Sequence, residues 1–251
     1  MPAPVDWDAV QAEQVEYYRA RAPEYDESWT RRGDYDFGSA FNELWFAEVG
    51  RIDAALEDFG PIGRVLELAA GTGMWTERLG RSAASITALD VSPEMLAINR
   101  RRLTGSTVPV RHVEADLFGW TPDGRYDVIS FAFWLTHVPP PRFEEFWSFV
   151  TSALAPQGRV FFADSAIPRA ELPVLGRRFG FRGHAVEGVH SLTDLDRGVS
   201  VRQVRDGRRF QTVKVYWEPD ELQERLRSLG WDIEVRATEW AFVYGHGGRR
   251  I

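Results

Sequence analysis

Three side-chain positions and one turn carry the first chemical hint in this chain. Glu67 ends an apolar run, Ala69-Ala-Gly71-Thr-Gly73 makes a tight turn after it, and Asp90 closes the next apolar run seventeen residues beyond Gly73. Glycines at such a turn let backbone approach a ligand closely at a helix start. A dinucleotide fingerprint would place a third glycine where Thr76 stands, and a carboxylate at Glu67 would repel phosphate while attracting an ammonium or sulfonium group. Asp90 is placed to accept both hydroxyls of a ribose. The set favours a nucleoside with an amino-acid tail, such as S-adenosylmethionine, over a dinucleotide. A second feature is His137, which follows the apolar run Tyr126–Trp134 and precedes three prolines. At the carboxyl end of a strand it is placed to take a proton from a substrate hydroxyl or amine, or to orient its loop by bonding backbone.

These residues need a βαβ frame, and the hydrophobic pattern supplies one. Strands are predicted at 64–70, 85–90, 110–116, 126–134 and 159–165, with helices at 73–82, 93–103 and 142–155 between them. Ser92-Pro93 is an N-cap followed by a first-turn proline. Upstream, 7–21 and 40–59 are helical and 27–39 a loop; downstream, a helix opened by Pro219 is followed by strands at 231–237 and 240–245. Val199 to Trp217 forms a hairpin turned by Asp206-Gly207, with Phe210, Thr212, Lys214 and Tyr216 on one face.

Val65-Leu-Glu-Leu-Ala-Ala-Gly-Thr-Gly73, Ala88-Leu-Asp-Val-Ser-Pro-Glu-Met95, Ala115-Asp-Leu117, Tyr126-Asp-Val-Ile-Ser130 and Leu154-Ala-Pro-Gln-Gly-Arg-Val160, in this order, resemble the class I S-adenosylmethionine-dependent methyltransferases of small-molecule type. The resemblance is close over about Ala40 to Ser165 and looser beyond. It implies an α/β fold with a doubly wound seven-stranded sheet, order 3-2-1-4-5-7-6 with the last strand antiparallel. It also implies an N-terminal lid over 1–39 and a substrate lid at 166–217, all in one domain. The cofactor would be held by Glu67, Ala69, Gly71, Thr72, Gly73, Asp90, Val91, Met95 against adenine, Asp116 at the adenine amino group, Leu117 and Phe131, under Tyr18 or Tyr25 of the lid. Trp134, His184, Lys214 and Tyr216 would face the substrate. Many members have glycine where Ala69 stands, which would set the backbone slightly farther from the methionine moiety here. Met95 and the two tyrosines equally suit plain packing roles.

Composition bounds the rest. A chain of 251 residues with 44% hydrophobic residues suits one large α/β domain. No apolar run approaches a membrane span, and the N-terminus lacks a signal pattern, so a cytoplasmic protein is expected. Zero cysteines exclude disulfides and thiolate chemistry, and a net charge of −7 argues against nucleic acid or anionic membranes as partners. Residues 166–209 nevertheless carry nine arginines against five acids, a basic insertion in an acidic protein. Its arginines suit a substrate carboxylate or phosphate, or a solvated surface. His184, Glu187 and His190 lie there without a third nearby ligand, so no metal is expected. The reading is methyl transfer to a small molecule, with a hydroxyl of an aromatic or natural-product-like substrate favoured. Methylation at carbon or nitrogen of an anion gripped by the arginines is an alternative, as is a protein that binds the cofactor without transferring methyl. A monomer or homodimer is expected.

Overall fold

A computed structural model describes residues 4–167, 180–182 and 185–250. Helix α1 (Trp7–Arg21) starts where Asp6 accepts the Ala9 N–H at 3.1 Å, and α2 (Tyr25–Thr30) follows. Helix α3 (Ser39–Phe59) ends at Gly60, whose φ of 60° suits a glycine before Pro61. Then come β1 (Gly63–Leu68), α4 (Met74–Leu79), β2 (Ala83–Asp90), α5 (Pro93–Arg102), β3 (Val110–Glu114), β4 (Tyr126–Ala132), α6 (Phe143–Ala153) and β5 (Leu154–Ser165). Five short strands follow: β6 (Gly180–Arg182), β7 (Ala185–Gly188), β8 (Ser191–Asp194), β9 (Val199–Gln203) and β10 (Arg209–Val213). Helix α7 (Pro219–Ser228), β11 (Trp231–Ala237) and β12 (Phe242–Arg249) complete the chain.

The main sheet runs β11-β12-β5-β4-β1-β2-β3, with β12 antiparallel to both its neighbours. Counted over these seven strands, that is the predicted order. Central strands are apolar throughout because helices cover both faces. Ile129, Phe131, Val160 and Phe162 face α6 and α7, where Phe131 stacks on Phe162 at 5.4 Å. Val65, Val128, Phe161 and Ala163 face α3 and α4. The connection reverses direction between β1 and β4, which opens a crevice at their carboxyl ends.

Three local expectations change. The start of the expected 27–39 loop is helical, since α2 runs to Thr30: a helix of six residues does not hold alone, but Trp29 packs edge-on against Trp45 at 5.8 Å and Trp75 at 6.1 Å. Strand β5 starts at Leu154, because Leu154 pairs with Tyr126 and the Pro156-Gln-Gly158 turn becomes a register irregularity inside the strand. The last strand runs over 242–249 rather than 240–245, since Trp240 and Ala241 instead donate their N–H groups to buried Glu48 at 2.9 and 2.8 Å.

The insertion forms a second, antiparallel sheet, β10-β9-β8-β7-β6, and contains the predicted hairpin. Its β10 edge is capped by α1. Gln14 accepts the Val213 N–H at 3.0 Å and donates to the His137 carbonyl at 3.3 Å, and Glu13 accepts the Gln211 N–H at 2.6 Å. Helix α1 and the second sheet are therefore fastened to each other and to the loop after β4.

Candidate functional site

Two cavities meet at the carboxyl ends of β1, β2 and β4. One, of about 360 Å³, is lined by Leu89, Asp90, Val91, Met95, Asp116, Leu117, Phe118, Trp134 and Arg142. The other, about 290 Å³, holds Glu67, Thr72, Trp75, Ser165, Lys214 and Tyr216, with Arg21 and Arg202. Tyr18, Tyr25, Ala69, Gly71, Ala132, Phe133 and His137 line both, so they mark the junction. Each volume suits part of a small ligand.

The glycine turn is built for backbone approach. Ala69, Gly71 and Gly73 have φ of 51°, 54° and 88°, so Ala69 takes a left-handed conformation that a glycine would adopt freely. Asp90 fixes the turn by accepting the Gly71 N–H at 2.8 Å and the Ser92 N–H at 2.8 Å. Burial raises its carboxyl above the usual range, and those bonds oppose the shift. Thr76, at the position of the absent third glycine, donates to Glu67 at 2.6 Å. Burial pushes Glu67 up to about 8 against that bond, with the charge of Asp90 adding to the rise. A cation beside Glu67 would restore its charge. Asn99 braces the turn from behind: its amide donates to Thr76 at 2.9 Å and to the Gly71 carbonyl at 3.4 Å, while its oxygen meets His112 at 2.9 Å. Asp26 of α2 accepts from Thr72 at 2.5 Å and pairs with Arg102, so α2 is fastened to the turn itself.

The loop after β4 carries a 3-10 turn, Leu135–His137. Buried Asp164 takes the Thr136 N–H at 2.9 Å and hydroxyl at 2.8 Å. His137 is 3% exposed, with Nδ1 2.7 Å from the Val213 carbonyl oxygen and Nε2 2.8 Å from the Tyr18 hydroxyl. Burial, then Lys214 and Arg202, hold the imidazole well below its usual range. Lys214 donates to Thr136 at 2.9 Å and Ser165 at 3.2 Å, with Asp164 at 3.9 Å. Burial pulls its ammonium down to about 8, against the pull of Asp164.

A family model described as "Methyltransferase domain" matches residues 65–158. A demethylmenaquinone methyltransferase of Clavibacter sepedonicus is 34% identical over 189 residues, covering 74% of this chain and 72% of that protein. The chain belongs to the S-adenosylmethionine-dependent methyltransferases. A ubiquinone biosynthesis O-methyltransferase of Aromatoleum aromaticum is 29% identical over 132 residues, 51% of this chain, and the match spans just over half that relative, 56%. Among solved structures, a DhpI–SAH complex is 36% identical with a TM-score of 0.72, covering 97% of this chain and 98% of that one. A DhpI-SAM-HEP complex is 37% identical with a TM-score of 0.69, covering 95% and 97%.

The methyltransferase cofactor fits the residues present. The larger cavity offers Asp90 to a ribose and Asp116 and Met95 to a base, and the glycine turn at the junction, with Glu67 of the adjoining cavity, would meet an amino-acid tail; bound there, the cofactor would supply an activated methyl group.

Of the residues expected from sequence, Gly73 lies behind the turn and outside both linings. Phe131 is a correction. It points to the α6 side of the sheet and is 1% exposed in the core, because side chains alternate along β4; Ala132 on the opposite face, and Phe133 just past the strand with φ of 56°, reach the cavities instead. Trp134 lines the cavity with Asp90 and Asp116 rather than the one with Lys214 and Tyr216, which lie just past β10. His184 falls outside the described residues. Among the arginines of the insertion, Arg205 pairs with Glu27 at 2.6 Å and Arg208 with Asp206 at 2.7 Å at the surface, whereas Arg202 reaches the cavity. Sequence reasoning passed over Arg21 and could not single out Arg202. The signal was weak: Tyr17, Tyr18 and Arg21 share a helical face, and Arg202 alternates with outward residues on its strand.

No group of three or more metal-ligating side chains occurs among the described residues, and no described helix is long and apolar enough to cross a membrane.

Proposed function

We propose that this protein transfers a methyl group from S-adenosylmethionine to an oxygen of a small organic molecule that carries a negative charge, with 166–217 as its substrate lid. One observation carries this reading: Arg21, Arg202 and Lys214 converge on a cavity in which Glu67 is the one carboxylate among the described lining residues. Arg21 is 7% exposed and donates to the phenol oxygens of Tyr17 and Tyr35, the latter at 3.1 Å. The Arg202 Nε is buried with no partner. Guanidinium groups withdrawn from water without a carboxylate are costly unless a ligand supplies the anion. The same three cations repel a protonated amine, which favours oxygen over nitrogen as the acceptor. Trp29, Trp45, Trp75, Phe133 and Phe242 line the other half of the cavity and suit an apolar or aromatic body.

The test is release of S-adenosylhomocysteine against hydroxy acids, phosphate and phosphonate compounds, and their uncharged analogues. Turnover should be confined to the anions. Arg21→Gln and Arg202→Gln each remove a charge-assisted contact of about 1.5–3 kcal/mol, so each should raise KM roughly 10- to 100-fold while leaving cofactor affinity unchanged. Equal turnover of uncharged analogues would sink the proposal. Lys214 adds a pH signature. It is cationic below about 8 and neutral above, so affinity for sulfate, whose own charge is constant there, should fall as pH rises through about 8. Calorimetry should find that dependence flattened in Lys214→Met.

A further inference from the structure

The junction between the cavities fixes not only which groups meet the acceptor but which way their protons point. His137 Nδ1 lies 2.7 Å from the Val213 carbonyl oxygen, which cannot donate, so Nδ1 carries the hydrogen. Nε2 therefore presents a lone pair, and the Tyr18 hydroxyl 2.8 Å away donates to it. With its one hydrogen committed there, the Tyr18 oxygen has only lone pairs for its other partners, at a residue that lines both cavities. Neither ring is free to reorient. Tyr18 packs edge-on to His137 at 5.5 Å, to Tyr17 at 5.0 Å and to Tyr25 at 6.0 Å. The His137 backbone is held at both its N–H and its carbonyl, by Trp134 at 2.8 Å and Gln14 at 3.3 Å.

Resting on the anionic reading above, we propose that Tyr18 meets the reacting oxygen, that His137 works through it as the proton's destination, and that the acceptor offers an O–H there. That O–H belongs either to an alcohol or to the protonated oxygen of an oxyacid. The acceptor O–H bond breaks as its oxygen gains the methyl group, and the electron pair of the broken sulfur–carbon bond stays on sulfur. The acceptor proton passes to the Tyr18 oxygen, and the proton Tyr18 held passes to His137 Nε2. One positive charge thus leaves the sulfonium and appears on the imidazole.

The charged groups acting on that imidazole explain why the substrate must bring an anion. Arg21 reaches it from α1, Arg202 from β9 and Lys214 from the segment after β10, and together with burial they keep it neutral. An anion on those three cations cancels their field, so the proton's destination becomes basic only when the substrate's charged group is seated. Direct attack on the acceptor proton by His137 is blocked, since both ring nitrogens are engaged. His137 is a positioning residue for Tyr18 until the moment it takes the proton.

The experiment uses protein labelled with nitrogen-15 histidine, saturated with S-adenosylhomocysteine, with inorganic phosphate as the anion probe. His137 should show the neutral Nδ1–H tautomer, its Nε2 resonance should move downfield in Tyr18→Phe, and phosphate should raise the pH of its protonation by about one unit. With an acceptor found in the release assay, Tyr18→Phe should lower kcat about 100-fold or more with KM little changed. His137→Gln should do the same, and the double variant should be no worse than either alone. A Nε2–H tautomer, an Nε2 signal indifferent to Tyr18→Phe, or full kcat in that variant overturns the proposal. If phosphate does not bind while the tautomer and the Tyr18→Phe shift hold, the relay stands and the anionic reading falls.

Discussion

Gly73→Ala should abolish practical cofactor binding while leaving the protein folded. A β-carbon there would lie 2.8 Å from the Asn99 Cγ and 3.1 Å from its Cα, on a residue with φ of 88°. Asn99 has no room to yield, because it is fully buried and its side chain is tied to Gly71, Thr76 and His112. The left-handed backbone costs an alanine about 1–2 kcal/mol, and overpacking adds roughly 1–3 kcal/mol. The turn can escape both by shifting, which carries Gly71 away from Asp90 and Thr72 away from Asp26. A combined 3 kcal/mol corresponds to an affinity loss of about 100-fold or more. Calorimetric titration with S-adenosylhomocysteine, alongside circular dichroism to check folding, measures it. An affinity within a few-fold of the parent protein would show that the turn does not cradle the cofactor.

The second large effect is on the sheet. In Gly247→Ala the added β-carbon would fall 2.0 Å from the Asp232 carbonyl oxygen and 2.7 Å from the Ile233 Cα, both backbone atoms of the paired strand. Backbone cannot swing aside as a side chain can, so relief requires β11 to part from β12. That would unseat Trp231, Ile233 and Val235, which β11 contributes to the core. The cost should reach about 3 kcal/mol or more, which for a chain of this length lowers Tm by roughly 10 °C. The strand end is also tied to the site, because β12 pairs along β5 up to Ser165, beside the Asp164 that holds Thr136. Thermal unfolding followed by circular dichroism, with and without cofactor, checks the prediction. A Tm within about 2 °C of the parent would mean that the strands accommodate the methyl group.

Some of this was open to a reader of the sequence alone. The central sheet was legible because parallel strands buried on both faces must be apolar throughout, and the turns between them need glycine or a cap: Gly71, Gly73 and Ser92 announce themselves. Glu67 and Asp90 were legible for the same reason, as charged residues ending apolar runs. Only the tertiary structure decided that Thr76 would bond Glu67 at the mouth of the glycine turn, that β4's alternation would send Phe131 into the core, and that Phe133, just past the strand with φ of 56°, would reach the cavity.

Tertiary contact alone also brought Tyr18 to His137 across 119 positions and Lys214 to Thr136 across 78. It singled out Arg21 and Arg202 from a chain rich in arginine. The physical reason is range. Strand and turn signals depend on neighbours a few residues apart, whereas a cationic cavity depends on which charges lose their water where elements distant in sequence pack around one crevice, and nothing in local spacing records that.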